Sequence, residues 1–506
     1  MMIIDLLEES VEKYRGKIAV CCDERNMTYG ELYIRILKLS EELTAKGVKK
    51  GDHVALLLAN SIEFILSFFA VNRCGGIIIP VYVNTGANKL VSIVNFCDIK
   101  FIISSKQYQD VYNAVTREVC LKMQSIFSVN EDGITECITL AEAPPLQEKV
   151  YESSECSNCH DLAVILFSSG TTGIPKGVML SNNNITSNAK AISDYLRLSP
   201  DDKVLLVKNI NHASSITGEM LISLYNGCSL YLTGDLPTPS LILQLMRKKG
   251  ITVFFAVPSI LFTLVRHRDF KSCCFEKLRI MNFYGACIGC EEIKMLHEKF
   301  PRVNLIYSYG LTEASPRVTY LEGEELIKRQ GSSGKAIKDI ELFIVDEAGN
   351  FQGPGSVGEI AVKGPNVMLG YYKNSELTKK VLGDGLLHTG DYGYRDEEGF
   401  LYVMGRKDNL IIQSGKNVYP EEIEKVLGSC SGIAEALVRG ESDSFLGQKI
   451  TAYLVAEDES STELREVLLH CRQNLEDYKV PREVYFVAAL EKNPNGKTVR
   501  NQEIKI

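Results

Sequence analysis

The sequence predicts an α/β protein: a large N-terminal domain of helix-covered, mainly parallel sheets with a β subdomain, and a small α/β domain at the C-terminal end. Three observations carry that reading. Over the first 150 residues, apolar runs of strand length alternate with amphipathic helical stretches, the pattern that builds parallel sheets under helices. From about Gly331 the helices give way to short strands between Gly/Pro-rich turns such as Gln352-Gly-Pro-Gly-Ser356. Past Gly405-Arg-Lys-Asp408 a fresh unit of helix and strand begins. The boundary is placed near Lys407, giving domains over 1–407 and 408–506, with the β subdomain at about 331–405.

Each element has a local cause. Lys17-Ile-Ala-Val-Cys-Cys22 reads as a short strand. Thr28 and Glu31 stand at capping-box spacing, where each side chain satisfies the other's free backbone N–H. The helix they open carries Leu32, Ile36, Leu39 and Leu43 three or four apart, hence on one face. Gly51 turns the chain into a buried strand over His53–Leu58. A helix over Phe64–Cys74 and strands over Ile77–Val83 and Lys100–Ser104 follow. Asp161–Phe167, with β-branched Val164 and Ile165, is a further strand. Glu341–Val345 and Gly358–Lys363 are short strands of the β subdomain. In the last domain Pro420 opens a helix, Lys449–Val455 is a strand and Thr462–Asn474 a helix.

Composition excludes several classes. The chain is 45% hydrophobic and 24% charged, as expected of a globular protein with ample core. Its net charge of −8 gives no general attraction to nucleic acid or anionic membrane. The start, Met1 to Glu9, carries acids where a secretory leader carries positive charge. Apolar runs such as Gly75–Val83 fall far short of the ~20 residues that span a bilayer. The expected address is cytoplasmic, with no integral membrane segment. Fifteen cysteines then read as reduced thiols. Cys156, Cys159 and His160 match the C-x-x-C-H spacing of haem attachment, but they sit in a polar loop of a chain without an export signal. A zinc site would need two further ligands, for which only Cys287 and Cys290 offer a similar spacing, so coincidence is the reading.

The chemistry concentrates in Phe167-Ser-Ser-Gly-Thr-Thr-Gly-Ile-Pro-Lys-Gly177. A strand feeds a loop whose two glycines allow successive N–H groups to point at one anion. Ser168, Ser169, Thr171 and Thr172 add hydroxyl donors, and Lys176 adds a positive charge. The result is a polyphosphate cradle, although the G-x-x-x-x-G-K-[ST] spacing of nucleotide hydrolases is absent.

This loop resembles the signature of the adenylate-forming superfamily: acyl/aryl-CoA ligases, peptide-synthetase adenylation domains and luciferases. Tyr309-Gly-Leu-Thr-Glu313, His388-Thr-Gly-Asp391, Gly405-Arg-Lys-Asp408 and Asn495-Gly-Lys497 resemble its later motifs, in the family's order and across essentially the whole chain. The resemblance implies a two-step reaction. A carboxylate attacks the α-phosphate of ATP to give acyl-adenylate and pyrophosphate, with Mg²⁺ bridging phosphate oxygens, and a thiol then displaces AMP. It implies that Ser168, Thr171, Thr172 and Lys176 hold phosphates, Glu313 ligates Mg²⁺ and Thr312 bonds the α-phosphate. Tyr309 beside Gly310 would stack on adenine, at a pocket edge formed by Gly285 and Ala286. Asp391 would accept from the ribose hydroxyls, with Arg406 assisting. Lys497 would bridge carboxylate and α-phosphate. Asp408 would be the hinge of a mobile C-terminal domain whose rotation withdraws Lys497 and brings Gly415 to the thiol channel.

The implied acid pocket comprises Asn211, His212, Tyr284, Gly285 and Tyr307, with His212 resembling the family's aromatic or histidine gate. Amino-acid-activating members carry an Asp after that gate; Ala213 stands here, and an unpaired buried ammonium is costly, so an α-amino acid is disfavoured. Fatty, short branched and aryl acids stay open. The chain departs from the family in having Leu386-Leu387-His388 where Trp is common, and Tyr284-Gly-Ala-Cys287 for a Gly-Gly-Ala-Pro type segment. The expected acceptor is coenzyme A, the alternative the phosphopantetheine arm of a carrier protein; a luciferase-like oxygenase would share the fold.

Overall fold

The computed structural model describes residues 1–117, 123–139, 158–168, 176–234, 237–271, 275–286, 288–413, 416–443, 446–457, 463–492, 498–500, 502 and 504. Two large sheets form its body. In the eight-stranded sheet, Phe101–Ser104, His53–Leu57, Ile77–Pro80 and Leu162–Ser168 run side by side in parallel, with Ser125–Asn130 parallel on the far side of Phe101–Ser104. In the nine-stranded sheet, Ile18–Cys22, Ser229–Leu232, Lys203–Leu206, Val253–Ala256, Ile280–Tyr284 and Asn304–Gly310 are parallel neighbours. Parallel strands covered on both faces are mostly apolar, which is why segments such as His53–Leu57, Ile77–Pro80 and Val253–Ala256 read as near-continuous apolar runs. Antiparallel strands close the edges of both sheets.

One core joins the two sheets. It takes Val54, Ile78 and Val164 from the first, Val20, Leu206 and Leu230 from the second, and side chains of helices Ile62–Arg73 and Asn182–Leu196. The capping box expected at Thr28 forms: the Glu31 N–H donates to Thr28 Oγ1, and the Thr28 N–H donates to Glu31 Oε2 at 2.8 Å. Leu32, Ile36, Leu39 and Leu43 are all buried on the helix it opens.

One local expectation shifts, and two further elements appear. The helix expected over Phe64–Cys74 begins at Ile62, because the Ser61 hydroxyl accepts the Phe64 N–H and caps it earlier. Arg25–Thr28 forms an antiparallel strand against Ile18–Cys22, a pairing with only Met27 buried to announce it. The polar segment after the phosphate loop, Ser181 to Asn184, starts the helix Asn182–Leu196: Ser181 and Asn184 exchange side-chain-to-backbone bonds of 2.8 and 3.1 Å.

A third, antiparallel sheet comprises Glu341–Val345, Gly358–Lys363, Leu382–Gly383, Leu386–Arg395 and Leu401–Arg406. Lys335–Ala336, inside the expected β subdomain, pairs instead with the edge of the nine-stranded sheet. A fourth sheet, of five strands between Ile411 and Phe486, packs helices Pro420–Gly428 and Leu464–Asn474 over its own core. Thr462, expected to begin the last of these helices, lies outside the described residues. Among the described residues no helix is long and apolar enough to cross a membrane.

Candidate active site

A tight reversal at the edge of the nine-stranded sheet assembles much of the site. Strand Asn304–Gly310 turns through Thr312–Ala314 and returns as Arg317–Glu322. The Leu311 N–H donates to the Pro316 carbonyl at 2.9 Å. A Cβ on Gly310 would lie 1.9 Å from that same oxygen, so the turn demands glycine. Tyr309 is thereby fixed at the strand end, with Thr312 and Glu313 on the turn.

Tyr309 donates its phenol proton to Asp391 Oδ2 at 2.5 Å, and Arg406 Nη1 donates to Asp391 Oδ1 at 3.1 Å. Asp391 and Arg406 face each other across neighbouring antiparallel strands, so the β subdomain itself sets their pairing. Burial, with the Asp391 carboxylate beside it, holds the Tyr309 phenol well above its usual range, so it stays a donor. A carboxylate has about four acceptor positions, so Asp391 can serve several donors at once.

A second group adjoins the first. Tyr371 donates to Glu313 Oε1 at 2.9 Å, and Lys176 Nζ lies 5.9 Å from the Tyr371 ring centre. Tyr371 arrives there because Gly370–Tyr371 pairs with strand Lys176–Ser181. Burial, then the Glu313 charge, pushes the Tyr371 phenol far up, against the opposing pull of the Arg406 guanidinium, which itself feels the Glu313 charge. Ser168 and Lys176, which flank the phosphate loop in sequence, pair in register on neighbouring antiparallel strands. Thr171 and Thr172 lie outside the described residues.

The structure divides the expected acid pocket. Tyr284 ends strand Ile280–Tyr284, and Gly285 follows at φ +88°, a left-handed turn suited to glycine. His212 caps the short turn Ala213–Ser215, its carbonyl accepting the Ser215 and Ile216 N–H groups. Asn211 donates weakly to the Leu58 carbonyl at 3.5 Å. Tyr307, however, is in register with Phe283 and packs with it in a separate core, its hydroxyl bonded to the Ala286 carbonyl at 3.3 Å. Strand side chains alternate faces, so Tyr307 and Tyr284 point to opposite sides of the sheet.

Beside Tyr284 stand three charged residues that the sequence reading passed over. Lys208 and Glu219 form an ion pair of 2.6 Å with side chains 10% and 0% exposed, and both bond to the Tyr284 hydroxyl. The Arg317 guanidinium stacks on the Tyr284 ring at 3.5 Å. Burial pulls the Lys208 ammonium down to about 8, against the opposing pull of Glu219. Their signal was a charge inside an apolar run: Val204-Leu-Leu-Val-Lys208, Ile216 to Leu224 around Glu219, and strand Arg317–Glu322.

In the C-terminal unit, Asp408 sits exposed in the turn Lys407–Asn409. Gly415 and Lys497 lie outside the described residues, but the chain next to Lys497 is anchored. Thr498 bridges to Lys492, and Arg500 grips Glu424 with two bonds of 2.6 and 2.8 Å. Cys156 and Cys287 are also outside the described residues, among which no group of three or more His, Cys, Asp or Glu converges to hold a metal ion.

Comparison with known proteins places this geometry in a family. The AMP-binding enzyme profile matches residues 7–372, and that of the AMP-binding enzyme C-terminal domain matches 422–497. The chain belongs to the AMP-binding enzyme family, the adenylate-forming superfamily its motifs resemble. It is 31% identical to a 2-succinylbenzoate–CoA ligase of Oceanobacillus iheyensis, over 95% of this chain and 94% of the relative. It is 29% identical to a long-chain-fatty-acid–CoA ligase of Bacillus subtilis, over 98% and 93%. The fold superposes on o-succinylbenzoate coenzyme A synthetase from Bacillus subtilis, in complex with ATP and magnesium ion, with TM-score 0.83, 27% identity and 98% of each chain covered. AMP-forming acid–thiol ligase, the enzyme class expected from the sequence, is the class these relatives define.

Proposed function

We propose that this protein activates a carboxylic acid with ATP and transfers the acyl group to the thiol of coenzyme A. In the first step a carboxylate oxygen bonds to the α-phosphorus, the bond to the bridging oxygen breaks, and pyrophosphate leaves. In the second the thiolate sulfur bonds to the acyl carbon and AMP departs. The observation that carries this reading is the convergence of Asp391, Arg406 and Tyr309 with Glu313, Tyr371 and Lys176. It joins an acceptor suited to a ribose diol to a carboxylate and a cation suited to magnesium and phosphate.

The donor set fits Mg²⁺, which is held through one or two carboxylates plus substrate phosphates and water rather than in a cage of protein ligands. Glu313 would hold it, and the ion would neutralise charge on the phosphates. Thr171, Thr172, Ser168 and Lys176 would hold the phosphates, and Thr312 the α-phosphate. Tyr309 with Gly310, Gly285 and Ala286 would bound the adenine. Asn211, His212 and Tyr284 would line the acid channel. Lys497 would place its charge between two anions, a task of positioning and electrostatics. Turning at Asp408 would exchange Lys497 for the thiol channel beside Gly415.

The test is acid-dependent ATP–pyrophosphate exchange across fatty, aryl and amino acids, followed by mass detection of product with coenzyme A or a phosphopantetheinylated carrier. Exchange with fatty or aryl acids and a CoA thioester product are expected. Exchange with no acid refutes the reading, and acylation of the carrier alone replaces the acceptor.

A further inference from the structure

Deepening the proposed activation reaction, and resting on it, we infer that the acid this enzyme takes carries a second carboxylate, remote from the one that is adenylated and received by Arg317 together with Lys208.

Lys208, Glu219 and Arg317 are all buried, so among the described residues two cations meet one carboxylate in low dielectric. An uncompensated buried charge is expensive, and proteins rarely keep one without a partner. Arg317 is 2% exposed, yet its Nε and Nη2 have no hydrogen-bond partner among the described residues. The Tyr195 and Tyr284 phenols lie within bonding reach of the guanidinium and feel its charge, but each also bonds elsewhere, Tyr195 at Ser308 and Tyr284 at Glu219, and neither cancels a positive charge.

The orphans are grouped. Asn211 Oδ1, Ser215 Oγ and Glu219 Oε2 are buried without a hydrogen-bond partner among the described residues, on the segment whose Gly218 approaches the Arg317 guanidinium. Buried polar atoms are nearly always satisfied, so several orphans on facing elements mark a place where a polar molecule belongs. This segment includes a six-residue π-helical turn, Ile216–Leu221, a geometry frequent at functional sites. Gly218 on that turn leaves room for the guanidinium, since a Cβ there would stand 3.3 Å from Arg317 Nη2.

Location and chemistry then select the ligand. Tyr284 is an expected acid-pocket residue, and its ring is covered on one side by Arg317 and approached by Lys208 at 3.8 Å. Arg317 lies just past the Thr312 turn on the same hairpin, so a molecule can present one carboxylate to the nucleotide end and another to this cluster. A guanidinium with free N–H groups matches a carboxylate in shape and charge. A second carboxylate would bring the buried cluster to neutrality; a hydrocarbon tail would leave one of its positive charges uncompensated.

The experiment compares skeleton-matched acids in ATP–pyrophosphate exchange with the full-length enzyme. Each pair is a dicarboxylic acid and the monocarboxylic acid with methyl in place of the second carboxylate, flanked by the ω-hydroxy analogue. The expected result is a kcat/KM that favours a dicarboxylate by on the order of 100-fold or more. Arg317→Met should collapse that ratio, and Arg317→Lys should restore part of it. Monocarboxylates or hydroxy acids exchanging as well as their dicarboxylic partners would overturn the inference and leave the activation reaction standing. Absence of exchange with every acid would instead overturn the activation reaction, and this inference with it. If Arg317→Met does not fold, the wild-type ratio across matched pairs decides alone.

Discussion

Glu219→Gln and Lys208→Met should destabilise the protein by unequal amounts. Glu219 is the carboxylate set against two buried cations, so Glu219→Gln leaves both without a counter-charge. Removing one partner of a buried pair costs about 3–5 kcal/mol, and this case belongs at the upper end. Lys208→Met is different. It removes an ammonium that burial has pulled from 10.5 down to about 8. At about 1.4 kcal/mol per pH unit, keeping that ammonium charged below pH 8 costs about 3 kcal/mol. The variant sheds that cost and leaves Arg317 to balance Glu219, so its net loss should stay below about 2 kcal/mol. The pH dependence has a definite sign. Between pH 8 and 10.5 the unfolded chain holds the lysine proton and the folded chain does not, so wild-type stability rises relative to Lys208→Met across that window. The slope should approach about 1.4 kcal/mol per pH unit, and the difference should be flat below about pH 8. The chain has no tryptophan, so denaturant unfolding is best followed by far-UV circular dichroism. Equal costs for the two variants, or a flat difference across the same alkaline window, would refute this charge balance.

Three other perturbations address the nucleotide end. Asp391→Ala removes the acceptor joining Tyr309 and Arg406, and should raise the KM for ATP about 10- to 100-fold in steady-state kinetics, the loss of one or two charge-assisted bonds. Gly310→Ala puts a methyl group 1.9 Å from the Pro316 carbonyl and should cost at least ~3 kcal/mol or prevent soluble expression, read by the unfolding midpoint; a wild-type midpoint would contradict the turn geometry. Lys497→Ala should reduce adenylate formation at least ~1,000-fold while sparing thioester formation from synthetic acyl-AMP, measured by pyrophosphate release and product mass. Equal loss of both steps would remove Lys497 from its proposed role.

The parallel sheets were legible because buried strands leave unbroken apolar runs, and the helix at Tyr29 because Thr28 and Glu31 stand at capping spacing. Tyr309, Glu313, Asp391 and Arg406 were legible as motifs, though only as separate segments. Their convergence depends on a hairpin and a cross-strand pair that sequence spacing does not encode. Tyr307 parts from Tyr284 because it pairs with Phe283, one residue before Tyr284, and strand alternation turns the two tyrosines to opposite faces. The charged cluster at Tyr284 escaped for a different reason. Lys208, Glu219 and Arg317 come from three separate stretches of chain, so no local pattern links them. Each alone reads as a stray charge in an apolar run, and only the fold places all three around Tyr284.

The hairpin from Tyr309 to Arg317 ties the two halves of the site together. At one end Tyr309 bonds Asp391, and at the turn Glu313 accepts from Tyr371. At the other end Arg317 covers Tyr284, and its backbone is clamped on both sides by Asn188, through N–H to Oδ1 at 3.1 Å and Nδ2–H to carbonyl at 2.8 Å. An element held at so many points moves little, so an acid anchored at Arg317 would have its other carboxylate set at a fixed distance from the Thr312 turn. Under the proposed reaction that is an orientation effect: binding energy gained at the remote carboxylate limits the freedom of the attacking one. A monocarboxylic acid of the same length would forfeit the anchor and leave one buried positive charge uncompensated. It should therefore lose turnover as well as affinity, with kcat falling alongside a rising KM in steady-state exchange kinetics. A rise in KM at unchanged kcat would mean that the anchor contributes binding alone, without orienting the reacting carboxylate.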